Sequence, residues 1–131
     1  MSSNKYMANK RKILIVEDEI PLVKALEGKF ARAGFAVEVA LDGIEALKKL
    51  KTSKPDLILL DMLLPRMDGF EFLEKLKKDK DLKDIPVVIF SNLTQESDME
   101  RGLSLGALEY IDKSKITIKG LVDKVGKYLN I

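Results

Sequence analysis

Short apolar runs alternate along the chain with longer segments in which apolar residues recur every three or four positions. The runs are "ILIV" (13–16), "FAVEVA" (35–40), "LILL" (57–60), "VVIF" (87–90) and "ALEYI" (107–111). Helical spacing follows each run, first up to Gly34 and then over residues 43–52, 69–79, 95–104 and 117–129. In the first helix the predicted buried stripe is Leu22, Leu26, Phe30 and Ala33. The alternation predicts a parallel sheet with helices on both faces.

The charge content of the runs predicts the order of the strands. "ILIV", "LILL" and "VVIF" are continuously apolar, which is typical of strands buried on both faces. Glu38 interrupts the second run and Glu109 the fifth, so we expect both strands at the edges of the sheet. The predicted fold is a flavodoxin-like (βα)5 three-layer sandwich with a five-stranded parallel sheet of order 2-1-3-4-5.

Composition excludes several classes of function. With 131 residues we expect a flexible tail over residues 1–10 and one domain over residues 11–131. The absence of cysteine and histidine excludes disulfides, Ser-His-Asp catalysis and histidine-ligated zinc. No apolar run approaches the roughly 20 residues of a membrane-spanning helix, and the N-terminus has no signal-peptide core, so we expect a cytoplasmic protein without membrane contact.

The net charge of +2 does not by itself indicate a nucleic-acid partner. The lysines of "KKLKTSK" and "KLKKDKDLK" alternate with apolar helical positions, and aspartates dilute the second cluster. We therefore interpret them as solvated helix faces and expect no direct nucleic-acid binding.

Chemically active side chains follow four of the five predicted strands. Because ligands of such sheets bind at the carboxyl ends of the strands, these side chains should share one edge. They are Glu17 and Asp18 (strand 1), Asp61 (strand 3), Ser91 (strand 4) and Lys113 (strand 5). Strand 2 ends on Ala40 and is expected to contribute nothing.

Each of these residues also has a structural interpretation. Asp18 could cap the first helix, with Pro21 in the first turn, and the other residues could be loop or surface groups. Asp68 is interpreted as structural, because Glu71 three residues later completes a capping-box pattern.

Three carboxylates on one edge favour a cation site. Crowded carboxylates repel one another and shift their pKa values unless a cation lies among them. With oxygen donors only, Mg²⁺ is the expected ion. A metal flanked by a carboxylate, a hydroxyl and a lysine can polarise a phosphoryl group, so that a carboxylate acts as nucleophile and forms an aspartyl phosphate.

Four blocks of the sequence resemble one known family. "KILIVEDE", "PDLILLDMLLPRMDGFEFL", "IPVVIFSN" and "GALEYIDKS" are similar, in this order, to the motifs of response-regulator receiver domains of two-component signalling, including the single-domain chemotaxis type. The resemblance covers about residues 11–130.

The resemblance implies a role for each residue of the edge. Asp61 would accept a phosphoryl group from a phosphohistidine on a sensor histidine kinase or phosphotransfer protein. Glu17, Asp18 and Asp61 would bind Mg²⁺ together with the Leu63 carbonyl, and Lys113 and Ser91 would contact the phosphoryl group. Ser91 and Tyr110 would form the switch, and the fourth helix, fifth strand and fifth helix the docking surface for an unknown target. The protein would be a regulatory phosphoacceptor with autodephosphorylation, not an enzyme acting on other substrates.

One position departs from the family pattern. Receivers usually carry a cis proline directly after the strand-5 lysine, whereas this chain has Ser114. A cis bond before serine costs about 2.5–4 kcal/mol, so we expect a trans peptide there and an altered loop.

Two rival functions remain open from the sequence. A haloacid-dehalogenase-type phosphatase would need a second aspartate two residues after the nucleophile, where this chain has Leu63. A pseudo-receiver would use the same fold only for binding, although the acid, hydroxyl and lysine set is complete. Neither glycine-rich nucleotide motif occurs.

Overall fold

The computed structural model describes residues 10–130 and consists of one five-stranded parallel sheet covered by five helices. The strands are β1 (Lys12–Val16), β2 (Ala36–Ala40), β3 (Leu57–Leu60), β4 (Val87–Ser91) and β5 (Glu109–Asp112). The helices are α1 (Ile20–Arg32), α2 (Gly43–Leu50), α3 (Gly69–Lys78), α4 (Glu96–Ser104) and α5 (Ile118–Tyr128), with a 3₁₀ turn at Lys113–Lys115. The predicted N-terminal tail lies outside the described residues, except for Lys10.

The strand order is β2-β1-β3-β4-β5, which confirms the order predicted from the apolar runs. The three inner strands alternate their side chains between two cores. In β1, Leu14 and Val16 face the core under α2, α3 and α4, while Ile13 and Ile15 face the core under α1 and α5. Burial on both faces requires the continuous apolar runs of these strands.

The two edge strands carry the charges that marked them in the sequence. Glu38 of β2 forms an ion pair with Lys12, at 3.0 Å, and Glu109 of β5 forms one with Lys124, at 2.7 Å. Each charge thus lies on a partly exposed face, where it keeps contact with water and pairs with a lysine of a neighbouring element.

One part of the predicted helix pattern is wrong. Ala33 is exposed and Val23 is buried in its place, beside Leu26 and Phe30, while Leu22 is half-buried. The reason is that α1 ends at Arg32 and Gly34 takes a left-handed φ of +98°, so Ala33 no longer follows the helical face.

The register aligns the carboxyl ends of neighbouring strands. Val16 of β1 pairs with Ala40 of β2 and with Leu60 of β3, and Ser91 of β4 pairs with Asp112 of β5. The residues that follow β1, β3 and β4 therefore emerge on one edge. Over residues 10–130, no helix combines the length and the apolar character that crossing a bilayer would require.

Candidate functional site at the carboxyl edge of the sheet

Three carboxylates meet at this edge, as predicted. Glu17, Asp18 and Asp61 place carboxylate oxygens within 4.8 Å of one another. Backbone hydrogen bonds fix the main-chain positions of Glu17 and Asp61. The Asp61 N–H donates to the Val16 carbonyl at 3.0 Å, and the Glu17 N–H donates to the Ala40 carbonyl at 3.0 Å. Glu17 and Asp61 are buried, whereas Asp18 is exposed.

Asp18 is not the cap of the first helix. The N-cap of α1 is Glu19, whose side chain makes no capping hydrogen bond. The Glu19 N–H instead donates to Oε2 of Glu17, at 3.1 Å. Asp18 is thus left with its carboxylate beside those of Glu17 and Asp61, which weakens the structural interpretation.

Lys113 reaches this cluster from the end of β5. Its Nζ lies 2.7 Å from Oε1 of Glu17 and 3.3 Å from Oδ2 of Asp61, and its side chain is only 11% exposed. Burial by itself would lower the pKa of Lys113, but the hydrogen bond to Glu17 and the charge of Asp61 raise it overall. Lys113 is therefore a fixed cation at neutral pH.

The pKa of Glu17 is also raised, which for a carboxyl group means that the charged form is disfavoured. Burial raises the pKa of Glu17, the hydrogen bond from Lys113 opposes that rise, and the negative charge of Asp61 adds to it. Burial thus disfavours the charged form of Glu17 more than Lys113 favours it, and the charge of Asp61 adds a smaller contribution in the same direction. The site retains a demand for a further positive charge.

The donor set fits a hard divalent cation. Within residues 10–130, Lys113 is the only ion-pair partner of Glu17 and Asp61, so three carboxylates face one ammonium group. All the donors are oxygens, which is the ligand type preferred by Mg²⁺ and Mn²⁺ rather than by zinc.

Ser91 and Tyr110 converge on the backbone of Leu93. Ser91 is completely buried at the end of β4, and its Oγ accepts a hydrogen bond from the Leu93 N–H at 3.2 Å. The Tyr110 hydroxyl is turned inward and donates to the Leu93 carbonyl. Burial raises the pKa of Tyr110 to about 12, so the phenol keeps its proton and remains a donor.

Gly102 allows this inward position of Tyr110. A Cβ at Gly102 would lie 2.8 Å from Cδ1 of Ile89 and 2.9 Å from two ring carbons of Tyr110. The glycine in α4 therefore has a packing role, because α4 could not approach the sheet this closely with a larger residue.

Leu63 contributes its backbone near Asp61, while its side chain points away from the core. The Leu63 N–H donates to Oδ1 of Asp61 at 3.3 Å, and 53% of the residue is exposed. Leu93 is partly buried and packs on the core that contains Tyr110. Metal ligation by the Leu63 carbonyl stays a prediction.

The turn after Lys113 differs from the proline-containing form that the family pattern implies. The peptide between Lys113 and Ser114 is trans, as expected. Both the backbone N–H and the hydroxyl of Ser114 donate to Oδ1 of Asp112, at 2.8 and 2.7 Å. These bonds lower the pKa of Asp112 and close the 3₁₀ turn that begins with Lys113.

Asp42 and Arg66 form an ion pair that was not predicted from the sequence. No contribution was expected from the end of β2, yet Asp42 lies two residues after Ala40 and is only 5% exposed. Oδ2 of Asp42 lies 2.8 Å from Nε and 2.5 Å from Nη2 of Arg66. The spacing of Asp42 and Glu45 is a capping signal that could have been found, whereas the pairing with Arg66 has no local signal.

The chain is similar to proteins of one known family. A model of the response regulator receiver domain matches residues 13–125. The alkaline phosphatase synthesis transcriptional regulatory protein PhoP of Bacillus subtilis (strain 168) is 43% identical over 103 residues, which are 79% of this chain and 42% of that protein. The phosphate regulon transcriptional regulatory protein PhoB of Escherichia coli (strain K12) is 41% identical over 103 residues, or 79% of this chain and 45% of that protein. The chain thus spans less than half the length of these two relatives.

Solved structures give the same result for the fold. The phosphorylated cyanobacterial phytochrome response regulator RcpA has a TM-score of 0.83 at 33% identity, with 91% of this chain and 93% of that chain covered. The Mn²⁺-bound form of response regulator Rcp1 has a TM-score of 0.82 at 28% identity, covering 91% and 94%. The family match runs from β1 into α5 and includes every residue of the acidic edge, so the chain belongs to the response regulator receiver domain family.

Proposed function

We propose that Asp61 is the phosphoacceptor of this receiver domain. One observation carries the proposal: the Asp61 carboxylate is buried between two further carboxylates, with Nζ of Lys113 only 3.3 Å away. A buried carboxylate with a purely structural role would need full pairing, because an uncompensated buried charge is costly. Here the surplus negative charge suits a site that receives a cation together with a transferring phosphoryl group.

The donor would be a phosphohistidine on a sensor histidine kinase or phosphotransfer protein, the partner class of the receiver family. None of the 131 residues is a histidine, so the donor histidine lies outside this sequence. A carboxylate oxygen of Asp61 forms a bond to phosphorus while the P–N bond breaks. Its electron pair returns to the imidazole of the donor, and an aspartyl phosphate results. Lys113, held by Glu17, would neutralise an oxygen of the transferring group.

Glu17, Asp18, Asp61 and the Leu63 carbonyl would hold Mg²⁺. The metal, when bound, supplies positive charge to the oxygens of the phosphoryl group. The three clustered carboxylates support a divalent ion, and the related Rcp1 has a Mn²⁺-bound form. We infer Mg²⁺ as the physiological ion from its preference for oxygen ligands.

The readout of phosphorylation would pass through Ser91 and Tyr110. Both side chains form hydrogen bonds with the backbone of Leu93. A movement of Ser91 toward a phosphoryl group would therefore shift the Leu93 carbonyl, which accepts the hydrogen bond from Tyr110. Tyr110 packs against Gly102 of α4, which links it to the docking surface formed by α4, β5 and α5. A downstream protein would recognise this surface in one of its two states.

Intact-mass spectrometry after incubation with acetyl phosphate and Mg²⁺ tests the acceptor. Wild type should gain one phosphoryl group and Asp61→Asn none. Asp68→Asn is the matched control, because Oδ1 of Asp68 caps α3 through the Glu71 N–H, at 2.9 Å, and asparagine caps equally well. It should be phosphorylated like wild type.

The same incubation separates the rival functions. Equal modification of wild type and Asp61→Asn would show that Asp61 is not the acceptor. Steady turnover of added phosphomonoesters would indicate a phosphatase. A wild type that gains no phosphoryl group would indicate a pseudo-receiver.

A further inference from the structure

The ion pair between Asp42 and Arg66 joins two parts of the chain that are 24 residues apart in the sequence. Both donating nitrogens of Arg66 point at Oδ2 of Asp42, at 2.8 and 2.5 Å. Oδ1 of the same carboxylate accepts the Glu45 N–H at 2.8 Å and so caps α2. The Glu45 bond, opposed by burial and aided by Arg66, lowers the pKa of Asp42. Both carboxylate oxygens of the buried Asp42 thus accept hydrogen bonds, and the group is ionised at neutral pH.

Arg66 lies in the middle of the β3–α3 loop (residues 61–68) in a conformation that needs support. Its φ is +62°, in the left-handed region. For a residue other than glycine, that conformation costs about 1–2 kcal/mol. The contact with Asp42 supplies a specific interaction that holds Arg66 there.

Close packing also holds the start of α2 against the β3–α3 loop. A Cβ at Gly43 would lie 2.9 Å from the carbonyl oxygen and from Cγ of Met67, so only glycine lets α2 contact the loop this closely. At the end of the loop, a Cβ at Gly69 would lie 2.6 Å from the Asp61 carbonyl oxygen, and the Gly69 N–H donates to the Met62 carbonyl at 3.1 Å. The loop is therefore held at its middle and at its end.

The β3–α3 loop begins with the residues that the proposed function needs. Asp61 is its first residue and Leu63, the proposed carbonyl ligand, is three positions before Arg66. We propose, on the basis of that function, that Arg66 anchored on Asp42 is a positioning residue, which keeps the Asp61 carboxylate and the Leu63 carbonyl at the spacing that binds the metal. Neither Asp42 nor Arg66 contacts the metal in this scheme.

The alternative is an ion pair that contributes only to stability. Arg66 is 60% exposed on its side chain, and pairs with one exposed partner are commonly worth little. The two interpretations differ in metal affinity, because a stabilising pair leaves the affinity of folded protein unchanged, whereas loss of a positioning group weakens it by about tenfold or more.

Isothermal titration of the folded chain with Mg²⁺ distinguishes them. We expect Arg66→Ala and Asp42→Asn each to raise the Mg²⁺ Kd by about tenfold. Asparagine keeps the cap of α2 through its one oxygen, so Asp42→Asn removes only the negative charge and the acceptor that face Arg66. The double variant should be no weaker than either single variant, because the two residues act as one unit. Arg66→Lys, which retains the charge, should recover part of the affinity.

Glu38→Gln is the matched control. Glu38 is also a β2-side carboxylate in an ion pair, with Lys12 at 3.0 Å, but it lies away from the β3–α3 loop. Its Mg²⁺ Kd should equal that of wild type. An unchanged Kd in folded Arg66→Ala, or an equal loss in Glu38→Gln, would overturn the proposal.

Metal titration is also independent of phosphoryl transfer. A wild type that fails to gain a phosphoryl group on Asp61, combined with weak Mg²⁺ binding in Arg66→Ala, would refute the proposed function and leave the positioning role standing. If Arg66→Ala does not fold, Arg66→Gly, which tolerates the left-handed φ, takes its place with the same expected Kd.

Discussion

Gly102→Ala should destabilise the protein although it improves the intrinsic helix propensity of α4. In an unhindered helix interior, alanine is about 1 kcal/mol more favourable than glycine. Here the new Cβ would lie 2.8 Å from Cδ1 of Ile89 and 2.9 Å from Cδ2 of Tyr110. Because carbon atoms pack at about 3.5–4.0 Å, the ring or the helix must move by roughly 0.7 Å or more. Overpacking of this kind costs about 1–3 kcal/mol, so the net free energy of unfolding should fall by up to about 2 kcal/mol.

Gly28→Ala provides a control with the opposite expected sign. Gly28 lies inside α1, and a Cβ there would first meet the end of the flexible Arg32 side chain, at 3.2 Å. The gain in helix propensity of about 1 kcal/mol should therefore remain.

Urea unfolding followed by circular dichroism measures both variants. With a denaturant slope of about 1–3 kcal/mol/M, the midpoints of the two variants should be separated by roughly 1 M, with wild type between them. A Gly102→Ala variant as stable as Gly28→Ala would refute the reasoning, since it would show that α4 moves away from Tyr110 at no cost.

Three further predictions concern the edge of the sheet. Asp18→Asn should raise the Mg²⁺ Kd by about tenfold, because a charged ligand is lost. The same change should leave the metal-free melting temperature unchanged or higher. A lower melting temperature with an unchanged Kd would instead show a structural role for Asp18. Leu63→Asn combined with Leu93→Glu should speed loss of the aspartyl phosphate by an order of magnitude, if each polar side chain admits water and so lowers the hydrolysis barrier by about 1 kcal/mol. Phosphate release after removal of the donor measures this rate, and an unchanged rate contradicts the prediction. Asp112→Ala should lower the melting temperature more than Ser114→Ala, because Asp112 accepts both hydrogen bonds of the turn. The pKa of Asp112 is lowered in the folded protein, so its contribution is present at neutral pH and is lost as the pH falls through that pKa, and the two variants should converge in acid.

The fold could be predicted because burial in a parallel sheet leaves a direct trace in the sequence. Strands covered by helices on both faces must be apolar at every position, and edge strands need not be. Glu38 and Glu109 therefore identified the two edges, and the strand order followed. Helix ends were predicted less well, since Gly34 marked the end of α1 correctly while Ala33 was wrongly assigned to the core.

The cluster of Glu17, Asp18 and Asp61 could be predicted for the same geometric reason, because the topology brings the ends of β1 and β3 together. The pair of Asp42 and Arg66 could not, because it depends on the path of a loop and on a left-handed residue that no sequence signal required. The contact of Gly102 with Tyr110 was also hidden, since a glycine in a helix suggests flexibility until its neighbours are known.

The division of the interior into two cores has a consequence for how such a chain can diverge. Tyr110, Leu93 and Met67 all pack on the core under α2, α3 and α4, so a substitution there should affect the proposed switch and the β3–α3 loop along with stability. The core under α1 and α5, which includes Phe30, Phe35 and Leu121, contains none of these residues. Because α5 also belongs to the proposed docking surface, only the part of this core under α1, with Leu26 and Phe30, lies apart from both the switch and that surface. Laboratory evolution toward heat resistance alone should therefore accumulate its interior substitutions beneath α1.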